Sequence, residues 1–64
     1  MNTLMDAITE LSNLSLKYNT LRNEAREKND LVTADMNLYK RDAVDEAIGV
    51  VRGLISPNHE KNNG

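Results

Sequence analysis

The 64-residue chain has no cysteine, phenylalanine or tryptophan, and it has one histidine, one proline, two tyrosines and three glycines. Without cysteine there is neither a disulfide framework nor a thiolate metal site, two of the usual supports of a domain this small. The one imidazole, His59, follows Pro57 in a polar segment, so a histidine-built metal core and His-activated nucleophilic chemistry are both excluded. No apolar run reaches the ~18–20 residues that span a bilayer. Asp6 and Glu10 interrupt anything resembling a signal-peptide core, and the expectation is a soluble cytoplasmic protein. The formal charge is −2, which gives no bulk attraction to nucleic acid or anionic lipid.

Scarce proline and glycine leave long stretches free to be helical, and the apolar pattern uses them. Leu4, Ala7, Leu11, Leu14, Tyr18, Leu21 and Ala25 recur at alternating steps of three and four, a seam along one side of an α-helix. Thr3 and Asp6 form a capping-box pair ahead of it, with aspartate in place of the usual glutamate. Glu24 and Lys28 stand four apart in the favourable order near its end. The first helix is expected over about 3–28. Asn29-Asp30 is the best break, because both side chains compete for backbone hydrogen bonds and tolerate turn conformations. The rival is one uninterrupted helix, which the change of seam phase across this segment disfavours.

A second helix is expected over about 31–55. Its stripe reads Met36, Tyr39, Ala43, Ala47, Val50 and Leu54, widened by Val44, Ile48, Val51 and Ile55, broad enough to touch two neighbours. Leu31 is expected to pack at the turn. Ser56-Pro57 stops the helix, since proline disfavours helical geometry in the residue before it. The polar segment 57–64 reads as a disordered tail. The expectation is therefore an all-α antiparallel hairpin domain, residues 1–56, self-associating into a four-helix bundle as a homodimer. A chain of this size buries only ~60% of its unfolded surface, so a second copy is the remaining source of contact area. In length and layout the hairpin resembles the small plasmid-encoded RNA-loop-binding proteins of the Rop type, which are dimeric four-helix bundles. That likeness is one of outline, carried by no residue motif, and it assigns no binding residue.

The function classes divide on the remaining polar residues. Asp42, Asp45 and Glu46 are the densest carboxylate group, but they read as a solvated helix face with nothing to raise a pKa, and no Glu-x-x-His pair provides a di-metal site. No catalysis, cofactor, metal or small-molecule substrate is expected. Thr9, Ser12, Asn13, Leu16, Asn19, Thr20 and Asn23 form an uncharged outer strip on the first helix, with Met5 near one end. Exposed helices normally intersperse charge, so Met5, Ser12, Asn13, Leu16, Asn19 and Asn23 are the candidate surface for another protein. A nucleic-acid surface at Arg22, Arg26 and Lys28 is the alternative, short of stacking groups because Tyr18 and Tyr39 occupy the seams. A purely structural self-assembling element is the third reading. Gly49 and Gly53, four apart, either allow close approach of a partner backbone or soften the last turns. Small free-standing chains of this kind are common among phage and plasmid regulators and inhibitors, an association rather than a physical inference.

Overall fold

The computed structural model describes residues 3–55 and forms two packed antiparallel helices, α1 (Leu4–Glu27) and α2 (Leu31–Ile55). The segment 57–64, expected to be a disordered tail, lies outside the described residues. Helix α1 begins where the capping pair placed it. The Thr3 hydroxyl accepts from the Asp6 N–H at 3.2 Å, and the Asp6 carboxylate accepts from the Thr3 N–H at 3.1 Å.

The turn occupies only Lys28, Asn29 and Asp30. Asn29 takes the left-handed conformation with φ 63°, which asparagine adopts more readily than most residues. That reversal lets the Asp30 N–H reach the Ala25 carbonyl at 2.8 Å and the Asn29 N–H reach the Arg26 carbonyl at 3.0 Å. Together these bonds close α1 as a Schellman motif. Asp30 then caps α2 at once, its carboxylate accepting from the Thr33 N–H at 3.2 Å. The Thr33 hydroxyl bond, the Thr33 backbone bond and the nearby Lys28 charge hold the Asp30 carboxyl below its ordinary value of 3.8.

Between the helices, α1 presents Ile8, Leu11, Ser12, Ser15, Tyr18, Asn19, Arg22 and Ala25. Helix α2 answers with Ala34, Asn37, Leu38, Arg41, Val44, Ile48, Val51 and Ile55, all buried or half-buried. Packing is closest beside the turn, where Ala25 and Ala34 are 6% and 4% exposed, small enough for the helices to converge. Asn37 is buried there too, and its amide donates to the Thr33 carbonyl at 3.0 Å. Ile48 completes the buried set among the described residues, and no large side chain is fully enclosed.

The contact between the helices falls away from the centre of either apolar stripe. Met36, Tyr39, Ala43, Val50 and Leu54 do not face α1. Met36 and Tyr39 are 52% and 68% exposed, and Val50 and Leu54 are exposed as well. Ala47 is half-buried. The residues foreseen as merely widening the stripe (Val44, Ile48, Val51 and Ile55) make the contact, because α2 is rotated to bring Arg41 and Asp45 onto polar partners of α1. On α1 the seam lies at one margin of the contact: Leu11, Leu14 and Tyr18 are half-buried, whereas Leu4 and Leu21 remain exposed. Leu31 does not pack at the turn but is exposed.

The turn chemistry makes an opposite-sign test possible. Asn29→Val is expected to destabilise the protein by about 1–2 kcal/mol in chemical denaturation, because a β-branched residue resists the left-handed region, while Asn29→Gly is tolerated. A continuous helix would reverse that order. Asp30 supplies a pH test. A carboxyl depressed by folding stabilises above its unfolded pKa, and the contribution disappears as pH falls through the lower folded value. Thermal stability should therefore fall below about pH 4, and Asp30→Asn should flatten that part of the profile.

Candidate functional site

The two edges of the hairpin differ in chemistry. One is polar. The Asn19 side-chain oxygen accepts from Arg41 Nη1 at 2.9 Å, and the Ser15 hydroxyl donates to Asp45 Oδ1 at 2.7 Å. Arg41 Nη2 also reaches Asp42 Oδ1 at 3.3 Å, and Arg41 Nε lies 3.9 Å from Asp45 Oδ2 without a hydrogen bond. One guanidinium thus ties α1 to two carboxylates of its own helix, which suits the planar fork of arginine. These are the ion pairs found among the described residues, and the Glu24–Lys28 spacing is not closed into one.

This edge takes up part of the expected protein-binding strip. Ser12 and Asn19 are half-buried against α2, and Asn19 is occupied by Arg41. The rest of the strip is outward-facing: Met5, Asn13, Leu16 and Asn23 are exposed, Leu16 at 65%. The basic set is divided in the same way. Arg26 and Lys28 are exposed, but Arg22 is half-buried in the contact face, so the three do not form one open cationic surface. Nothing in the sequence pattern flagged Arg41 as the polar hub. Its only signal was a charged residue at a helical position between Leu38, Val44 and Ile48.

The other edge is apolar. Lys40 Nζ sits 5.7 Å from the centre of the Tyr18 ring, placing that flank of α2 beside the seam side of α1. Residues three, four, seven, eleven and fourteen away recur on one side of a helix, which places Ala7, Leu14 and Leu21 on the side of Tyr18 in α1, and Met36, Ala43, Ala47 and Leu54 on the side of Lys40 in α2. Further round α2, Val32, Tyr39 and Val50 extend the surface, and all three are exposed. The result is a continuous stripe of Val32, Met36, Tyr39, Ala43, Ala47, Val50 and Leu54 on the side of α2 away from α1. Scattered surface apolar residues are ordinary, but seven at helical spacing over six turns are not. On α1 the next row beyond Ala7, Leu14 and Leu21 is Glu10, Lys17 and Glu24, all exposed, so the apolar surface belongs chiefly to α2.

Nothing in the hairpin's own packing calls for the two glycines of α2: a Cβ at Gly49 or Gly53 would meet no atom within 4 Å. Among the described residues no cluster of His, Cys, Asp and Glu has the arrangement to hold a metal ion. No described helix is long and apolar enough to cross a membrane. Comparisons with protein-family models, with curated proteins and with solved structures gave no match.

The polar hub is tested by truncation. Arg41→Ala leaves Asn19 without its interhelical partner and Asp42 and Asp45 without their ion pairs within α2, and is expected to cost about 1–2 kcal/mol in urea denaturation. Arg41→Lys should recover only part of that loss, because a single ammonium cannot serve Asn19 and both carboxylates.

Proposed function

We propose that the protein is a non-catalytic interaction protein, a small regulator or inhibitor, whose hairpins associate into a four-helix bundle and offer an outer helix surface to a macromolecular partner. The observation that carries this reading is the exposed apolar stripe on α2, set in a hairpin only 12 Å across its thinnest dimension. That is the diameter of one helix. Domains bury their apolar faces between at least two layers, and a single layer leaves one face of α2 in water. A second hairpin supplies the missing layer.

With α2 and the seam committed to the bundle, the surface left for another macromolecule is the outward side of α1. Met5, Asn13, Leu16 and Asn23, with Thr9 and Thr20 alongside, are exposed and carry no formal charge. A neutral, hydrogen-bonding patch with an apolar centre at Leu16 has the composition of a protein contact rather than of a phosphate grip.

The two surfaces are separable by mutation. Met36→Glu with Val50→Glu should abolish self-association in sedimentation velocity and reduce helicity, because the isolated hairpin has so little enclosed apolar volume. Leu16→Glu with Asn13→Lys should leave mass and helicity unchanged and abolish recovery of the partner in affinity capture. Retention of that partner by the second variant would show that the outer side of α1 is not the docking surface.

A further inference from the structure

The stripe on α2 has an internal symmetry that specifies how a second copy fits. Its members, Val32, Met36, Tyr39, Ala43, Ala47, Val50 and Leu54, follow steps of four, three, four, four, three and four. Read from either end, the order of steps is the same, with Ala43 at the centre. We infer that the protein dimerises through α2 against the α2 of a second copy, running antiparallel, with a two-fold axis at Ala43. This rests on the self-association reading and adds to it the contacting helix, its direction and its register.

Three observations support that occupant and orientation. The first is which helix has a second apolar face. Helix α2 has one, whereas on α1 the row flanking the seam is Glu10, Lys17 and Glu24, so α2 meets its own copy rather than α1 of the partner. The second is size matching. In the antiparallel register Tyr39 lies opposite Ala47 of the second copy, Met36 opposite Val50, Val32 opposite Leu54, and Ala43 opposite itself. Every layer but the central one pairs a larger side chain with a smaller or comparable one, and the small central pair lets the helices come close. A parallel pairing would stack Tyr39 on Tyr39 and leave Ala43 and Ala47 as thin layers beside it, spacing the helices unevenly.

The third observation comes from α1. Ser15 is bonded to Asp45 and Asn19 to Arg41, so Ala43 stands level with Lys17 of α1. That is one residue, about 1.5 Å along the axis, from Leu16, the midpoint of Leu14 and Tyr18 about which the seam from Ala7 to Ala25 has the same steps in both directions. Leu14 and Leu21, at the margin of the apolar face, are thereby placed where the same two-fold axis can repeat them. Glu46 and Asp35 are the acidic residues of α2 nearest the stripe, about 60° and 80° from its middle, and the antiparallel register sets them level with Lys40 and Val51 of the second copy, so the contact does not press acidic residues together.

Because the chain has no cysteine, single introduced thiols report the register directly. Ala43→Cys is expected to form a disulfide-linked dimer under mild oxidation. Val32→Cys and Leu54→Cys should each fail to link to themselves but link to one another when the two variants are mixed. A spin label at Leu31→Cys, an exposed position beside the turn, should report two labels separated by about 36 Å along the helix axis. Self-linking of Val32→Cys and Leu54→Cys, with the Leu31 labels at the same level, would overturn the antiparallel register while leaving self-association intact. A monomer in every case would overturn both.

Discussion

The constraint on which the structure depends is that α2 has apolar residues on two sides and the hairpin covers only one. Ile48 with Val44, Val51 and Ile55 faces α1. Met36, Tyr39, Val50 and Leu54 face water, although burying each is worth on the order of 1.5–3 kcal/mol. The interhelical contact itself is modest in apolar content. Ala25, Ala34 and Ile48 are its buried apolar members, and Asn37 shares their level of burial. A contact built this way fixes geometry better than it supplies stability, which makes the uncovered side of α2 the natural place for the remaining free energy of folding to come from.

The polar residues of the contact explain why the helix is rotated as it is. With Arg41 pointing at Asn19, and Asp45 at Ser15, α2 has little rotational choice. Turning it to bury Met36 and Tyr39 against α1 would strand the half-buried Arg41 guanidinium away from Asn19. Buried or half-buried polar groups of this kind cost more when left unpaired than they gain when paired, so they act as selectors of one arrangement. The short turn acts alongside them. Asn29 in the left-handed region and Asp30 as an immediate cap leave no slack between the helices, so register and rotation are set together.

Much of this was legible in the residues. The Thr3–Asp6 capping pair, the helix ranges, the break at Asn29-Asp30 and the breadth of the α2 apolar surface all follow from local rules whose causes lie within a few residues. What the pattern could not decide was which half of the broad α2 surface faces α1. Apolar periodicity ranks Met36 and Tyr39 alongside Val44 and Ile48, and the choice was made by Arg41, a residue that periodicity treats as an interruption. The same limit separated Ser12 and Asn19 from Asn13 and Asn23. All four are polar positions on one helix, and only the rotation of the neighbouring helix divides contact from surface.

The central claim is that this chain reaches its stable form by covering α2 with a second copy. The most direct measurement is the thermal unfolding midpoint as a function of protein concentration, followed by circular dichroism at 222 nm, the standard helix signal, and paired with sedimentation equilibrium. The account predicts a midpoint that rises with concentration and a mass of two chains. A compact single chain whose midpoint is high and independent of concentration would contradict it.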